Sequence, residues 1–283
     1  MDQGTTESIL VTGATGNVGG EVVRALLRAG APVKALVRAP RDLLDGVEQV
    51  VGDLNRPETL GAALEGVRGV FLLPGYDDMP GQLEQMRRAG VTRVVLLSGL
   101  STVAKDTDNA VSAYMIRSET AVRESGLEWT FLRPSAFMSN TLRWLPQLRD
   151  GDVVRDAFGG VPVANVDPYD IAAVAAEALL RPGHSGRIYP LSGPEALLPA
   201  ERLAVLGRVL GRDLRFVALS DEEARAQMTA DGVPPQYIEA FFGFYSAGTL
   251  DESRVYTTVE DVTGRPPRTF EEWARAHASE FAA

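Results

Sequence analysis

Three glycines at three-residue spacing, Gly13, Gly16 and Gly19, punctuate the segment ILVTGATGNVGG at residues 9–20. The chemistry this spacing serves is the holding of a pyrophosphate. Gly13 allows a tight turn, Gly16 lets the backbone approach the phosphates, and Gly19 lets the following helix pack close. The free N–H groups and positive dipole end of that helix then face the anion. About 20 residues on, an NAD-preferring site places an acidic residue on the ribose hydroxyl. Here that position holds Arg38, with Arg41 close by. A guanidinium suits a 2′-phosphate, to which it makes two charge-assisted hydrogen bonds, so the expected cofactor is NADPH. A third cluster is aromatic. Tyr237, Phe241, Phe242, Phe244 and Tyr245 crowd residues 234–248 and can enclose a flat hydrophobic molecule. The same residues also fit the buried face of a helix.

The elements that must position these groups follow from periodicity. Residues 9–11 read as a short buried strand. From Val18 the pattern turns helical, with Val22, Val23, Leu26 and Leu27 on one face and Gly30 closing the helix. Further strands are expected at 33–37, 47–51, 70–73, 94–97 and 129–132. Helices are expected after Pro57, with Leu60, Ala63 and Leu64 on the apolar face, and around 83–89 and 113–125. This alternation implies right-handed crossovers and an α/β, doubly wound parallel sheet of the Rossmann type. The nearly all-apolar strands fit a sheet covered on both faces. After Arg133-Pro134 the rhythm changes. Residues 135–166 look irregular, followed by a helix at 170–180, a strand at 187–191 that rejoins the sheet, a helix at 200–210 and a strand at 214–218. Ser220 with Glu223 and Thr269 with Glu272 are capping boxes. The expected division is a dinucleotide-binding domain over 1–150 and, over 151–283, mostly a smaller substrate-binding subdomain at the carboxyl ends of the strands, where ligands of such sheets bind.

Composition narrows the function. The formal net charge of −10 argues against nucleic-acid binding, so an anionic ligand must be held by a local positive site. With no cysteine there is no disulfide, thiol nucleophile or thiolate metal ligand. His184 in a PGHSG turn and His277 near a helix end are too few for a histidine-rich metal site, and no metal is expected. Asp77-Asp78 and Glu222-Glu223 read as solvated charges. The N-terminal MDQGTTES lacks a signal peptide's apolar core, and no apolar run reaches the roughly 20 residues of a membrane helix. The expectation is a cytoplasmic protein, monomer or homodimer, that meets no membrane and binds a small hydrophobic aromatic substrate.

In chain order, VTGATGNVGG, the VR of Val37-Arg38, the GDL of Gly52 to Leu54, GVTRVVLLSG, SGLEWTFLRPSAFMSN, DPYDIAAVAAEALL, the Gly183 to Pro194 stretch and TGRPPRTFEEW resemble the NmrA-like, atypical short-chain dehydrogenase/reductase family over nearly the whole chain. That family includes reductases of quinones, dyes and ketones as well as dinucleotide-sensing regulators. The resemblance implies cofactor contacts at Gly13, Thr15, Gly16, Asn17 and Val18, at Arg38, and at Asp53, which matches an adenine-contacting acid, with Leu54 beside it. Pro74 and Gly75 fall on the expected ribose path, and Ser98 and Pro134 complete the set. Phe137 and Met138, with Phe241, Phe242 and Tyr245, would wall the substrate.

The wider superfamily protonates the substrate carbonyl with the tyrosine of a YxxxK helix, after a serine that ends the preceding strand. Ser98 fits that serine. Counting back from Glu119 and Ser125-Gly126, the tyrosine position holds Val111 and the lysine position Met115. Neither can donate a proton. Tyr114 is the nearest substitute, about 60° around the helix and roughly 4.5 Å along its axis. Ser98 and Tyr114 are therefore the candidate catalytic residues, with water or an acidic substrate phenol as other proton sources. The expected activity is an NADPH-dependent ketoreductase or quinone reductase acting on an aromatic or polyketide-like compound of secondary metabolism. The alternatives are a non-catalytic NAD(P)-sensing regulatory protein and a non-redox enzyme reusing the fold.

Overall fold

The computed structural model describes residues 7–281; residues 1–6 and 282–283, including most of the polar N-terminal stretch, lie outside it. The first half runs β1 (Ser8–Val11), α1 (Asn17–Arg28), β2 (Val33–Val37), β3 (Val47–Val51), β4 (Val67–Leu72), α2 (Met79–Arg88), β5 (Arg93–Leu97), α3 (Ala110–Glu124) and β6 (Glu128–Pro134). It continues with α4 (Leu145–Asp150), β7 (Val153–Asp156), α5 (Pro168–Leu180), β8 (Arg187–Leu191), α6 (Pro199–Leu210), β9 (Arg215–Ala218), α7 (Asp221–Ala230), α8 (Pro235–Tyr245), α9 (Thr258–Thr263), α10 (Phe270–Ala276) and α11 (Ala278–Phe281).

Seven strands form one parallel sheet in the order β3-β2-β1-β4-β5-β6-β8. The chain winds outward from β1 in one direction and from β4 in the other. The carboxyl ends of β1 and β4 thus border the crevice where doubly wound sheets bind ligands. β1 and β2 are buried along their whole length because helices cover both faces. One face packs Val22 and Leu26 of α1, Ile171 and Val174 of α5, and Val259 of α9. The other packs Leu64, Leu83, Met86 and Val122 against Phe131. A separate core of Trp144, Leu203, Leu206, Phe270 and Trp273 holds the C-terminal part together.

β8 rejoins the sheet beside β6 as the apolar run at 187–191 indicated. Other details differ from the sequence reading. The helix expected after Pro57 is two short 3-10 turns, Pro57–Thr59 and Ala62–Leu64, too brief for an α-helix before Gly66 reverses the chain. Leu60, Ala63 and Leu64 are still buried. The strand expected near 214–218 is present as β9, and it pairs in parallel with β7, a strand inside the stretch that looked irregular. Asp78 is no idle surface charge, because its side chain caps α2 by accepting from Gly81 N at 2.9 Å. Among the described residues no helix is long and apolar enough to cross a membrane.

Candidate active site

The crevice starts at the turn after β1. Thr12 Oγ1 donates to Phe71 O and accepts from Leu73 N, both at 3.0 Å, which clamps the end of β1 to β4. Gly13 has φ +62°, and a Cβ there would strike the Leu73 side chain. A Cβ on Gly19 would overlap the Gly13 carbonyl oxygen. This glycine therefore seats the helix on the turn itself, rather than on the strand. Gly16 is the N-cap of α1; no side chain caps the helix and its first turn carries no acidic residue. The Gly16 N–H donates to Gly13 O at 2.9 Å, while those of Asn17 and Val18 remain for an anion. The residues present thus fit a dinucleotide pyrophosphate.

Arg38 and Arg41 are exposed beyond β2, and Arg41 Nη1 lies 3.4 Å from Thr15 Oγ1, beside the turn. Asp53, after β3, accepts from Asn55 N at 2.9 Å. The Leu54 side chain is buried in the core and its carbonyl accepts from Gln82 Nε2 at 2.6 Å. After β4, Pro74 and Gly75 lead to Tyr76, half-buried and within electrostatic reach of Arg38 and Asp53. Burial pushes the Tyr76 phenol up, and Arg38 opposes the shift. Tyr76 was not singled out from the sequence, although its place one residue after Pro-Gly was a usable signal.

Ser98 ends β5 and is 2% exposed. Its hydroxyl donates to Glu119 Oε1 at 2.6 Å. Glu119 is also held by Arg133, Nε at 2.8 Å and Nη2 at 2.6 Å. The one proton of Ser98 is therefore committed within the fold. Met115 approaches Gly99, on the β5 side of α3. Tyr114 packs against Gly75. Burial, with Tyr237 nearby, pushes its phenol up, so it stays neutral and a weak acid. The structure thus divides the two candidate catalytic residues between different neighbours.

Beyond β6 a cavity of about 550 Å³ opens beside Ala136, Ser139 and Asn140. Phe158, Val161 and Phe241 give it an apolar wall, and Tyr245 reaches it from α8. Met138 and Phe242, expected at this wall, are buried in the neighbouring cores at 1% and 4% exposure and do not line it. Phe137 is half-buried against the sheet core. Pro134 completes β6 in register with Leu191. Tyr245 Oη donates to Glu252 Oε2 at 2.7 Å. Burial pushes both groups up, although the Ala136 N–H and the Tyr245 hydroxyl favour the ionised Glu252.

A carboxyl whose folded pKa is raised binds its proton more tightly in the native state. Its stabilising contribution is present at low pH and is lost as pH rises from the unfolded value, about 4.3, through the folded one. Glu252→Gln removes this loss. The melting temperature of the variant relative to wild type should rise as pH increases above about 4 and level off once Glu252 is ionised in the folded state; a difference independent of pH would show that Glu252 is not raised by folding.

The cavity also carries Arg143, Arg155 and Arg202. Arg202 escaped the sequence reading, yet it interrupts the buried stripe Pro199, Leu203, Leu206 of α6. A charge on a helix's apolar face was the signal.

A profile described as NAD(P)H-binding matches residues 13–182. A (4-alkanoyl-5-oxo-2,5-dihydrofuran-3-yl)methyl phosphate reductase of Streptomyces griseus is 44% identical over 97% of this chain and 99% of its own. The chain belongs to the NmrA-like, atypical short-chain dehydrogenase/reductase family. An NAD(P)H azoreductase of Xenophilus azovorans is 41% identical, over 97% of this chain and 99% of its own. The NADPH-dependent quinone oxidoreductase of Escherichia coli, solved with NADPH, superposes with a TM-score of 0.78 at 25% identity, over 96% and 99% of the two chains. This member of the NmrA-like family is an NAD(P)H-dependent oxidoreductase.

Proposed function

We propose that this oxidoreductase uses NADPH to reduce an electron-poor carbonyl compound, a quinone or a conjugated ketone on a largely apolar body, in the cavity beside β6. The observation that carries the reading is the position of that cavity. It opens at Ala136 and Ser139, immediately after the strand end where the dinucleotide crevice finishes. Gly13, Gly16, Asn17 and Val18 would hold the pyrophosphate, and Arg38 with Arg41 the 2′-phosphate, both arginines being exposed and Arg41 lying beside the turn. NADPH, when bound, supplies the hydride. Phe158 and Phe241 exclude water and lay a flat acceptor against the crevice.

The missing Tyr–Lys pair fits this acceptor class. A conjugated carbonyl spreads the developing charge, so a weak acid suffices. Tyr245 lines the cavity, but its one proton is given to Glu252 as that of Ser98 is to Glu119, so water or an acidic substrate phenol supplies the proton. The related furanone phosphate reductase, azoreductase and quinone oxidoreductase support an electron-poor, conjugated acceptor. They extend the candidate substrates to acylated lactones carrying a phosphate ester.

The test is NADPH and NADH oxidation, followed at 340 nm, against quinones, conjugated aromatic ketones and acyl lactones. NADPH should be preferred. Arg38→Ala should raise the NADPH KM on the order of 10- to 100-fold, equivalent to about one lost charge-assisted bond of roughly 1.5–3 kcal/mol, and should leave NADH use little changed. Tight NADPH binding without turnover across the panel would favour the sensing regulator, which the replacement of the catalytic pair by Val111 and Met115 also allows.

A further inference from the structure

Arg202 is 5% exposed, yet it lines the cavity. Its Nε is fully buried and has no hydrogen-bond partner. Among the described residues its guanidinium forms no ion pair, and the ionisable groups that act on it are Arg143, Asp156 and Tyr245. A buried cation ordinarily has a hydrogen-bonded anion beside it.

The nearest carboxylate is already used. Asp156 accepts from Arg143 Nη2 at 2.7 Å, from Trp144 Nε1 at 2.6 Å and from its neighbour Ala157 N at 2.8 Å. Trp144 then presents its ring face to Arg202, the guanidinium carbon lying 5.3 Å from the ring centroid. Both the desolvation and the positive charge of Arg143 disfavour the charged form and push its pKa down to about 10, so Arg202 is still a cation at neutral pH. The site therefore holds a fixed, water-poor positive charge with unused donors, in a cavity that also carries an apolar wall of Phe158, Val161 and Phe241.

We infer that Arg202 is the anion anchor of the cavity and that the substrate carries a phosphate monoester, bound to this guanidinium with Arg143 at the rim. This rests on the reading of the cavity as the substrate site. The planar guanidinium fork matches phosphate oxygens, and the paired Arg143 still has one terminal nitrogen, Nη1, outside its bonds to Asp156. Phe158, Val161 and Phe241 then receive the apolar body of the same molecule.

The experiment is calorimetric titration of the full chain, saturated with NADP⁺, by 1-naphthyl phosphate, 1-naphthoate and 1-naphthol. Saturation keeps the aryl phosphate out of the cofactor's own phosphate sites. The phosphate should bind at least tenfold more tightly than 1-naphthol and more tightly than 1-naphthoate. Its advantage should grow between pH 5 and pH 7.5, as the second ionisation near pH 6 makes it a dianion. Arg202→Met should abolish the advantage and Arg202→Lys should keep part of it, with NADPH affinity as the check on folding. Should Arg202→Met fail to fold, the three ligands and the pH series on wild type still decide the phosphate assignment, and Arg202→Lys, by a reduced or unchanged advantage, decides the role of Arg202.

Equal binding of 1-naphthol and 1-naphthyl phosphate overturns the anchor. Equal binding of the naphthoate overturns the phosphate assignment. A phosphate advantage that survives Arg202→Met overturns the role of Arg202. NADPH oxidation with a quinone but no phosphate advantage refutes the anchor alone. The advantage without oxidation of NADPH by any acceptor refutes the reductase reading and leaves the anchor standing.

Discussion

Gly19→Ala should weaken NADPH binding by about 100-fold or more, the scale on which a displacement of about 1 Å acts on a preorganised site. The added methyl group would overlap the carbonyl oxygen of Gly13 and crowd Ala14 N, both backbone atoms of the phosphate turn. No rotamer change relieves such an overlap, so the turn must move away from α1. The N–H groups meant for the pyrophosphate then lose their common aim. Gly20→Ala is the matched control. Its Cβ would meet only ordinary contacts, the nearest being Ala14 O at 3.5 Å, and alanine favours the helix by roughly 0.8–1 kcal/mol. Fluorescence titration of the two variants with NADPH checks the pair. Similar affinities for both would mean that the close seat of α1 on the turn does not govern cofactor binding.

The largest loss of stability is expected from Asp170→Ala. Asp170 is fully buried on α5. It accepts from Arg265 Nη1 at 2.7 Å and from Arg268 N at 2.7 Å. Arg268 also meets Asp167 at 3.4 Å and lies 3.5 Å from the centroid of the Tyr169 ring. Burial pushes the Asp170 carboxyl up against the pull of these donors. The pair is therefore costly to form and more costly to break. Removing one partner of such a pair costs about 3–5 kcal/mol, which for a chain of this size lowers Tm by roughly 10 °C. Asp170→Asn keeps an acceptor for Arg268 N and should lose less. Thermal melts of the two variants, with wild type as reference, test this. A loss for Asp170→Ala no larger than that of an exposed substitution would mean that the arginine contacts do not hold the C-terminal segment.

The strands were legible wherever apolar runs met turn residues. Val33–Val37 before Arg38 and Arg187–Leu191 after Gly186 are examples. β7 was not, because Val153–Asp156 is short, half polar and mostly solvent-facing, with only Val154 buried. Its partner β9 is equally polar at its first residue. The 3-10 turns after Pro57 carry the same apolar spacing as one helical turn, so periodicity cannot separate them. At the site, the glycine turn, Arg38 and the loss of the Tyr–Lys pair were readable because each depends on local spacing. The commitment of the Ser98 proton to Glu119 was not, since it depends on a contact 21 residues away. Tyr245 was singled out for its aromatic ring, but its bond to Glu252 arises where a loop folds back, and no periodicity marks that.

The link between α5 and the segment around Arg265–Arg268 spans 95 and 98 residues. In a chain made from its N-terminus, Asp170 is finished long before its partners exist. Until the last turns of the protein emerge, α5 carries a carboxylate bound for the interior with nothing to receive it, and Val259 has not yet covered the same face of the sheet. The dinucleotide crevice borders that face. The C-terminal segment thus acts as a latch on assembly, so that a shortened product would be left with an open sheet face, exposed to proteolysis and without a settled cofactor site.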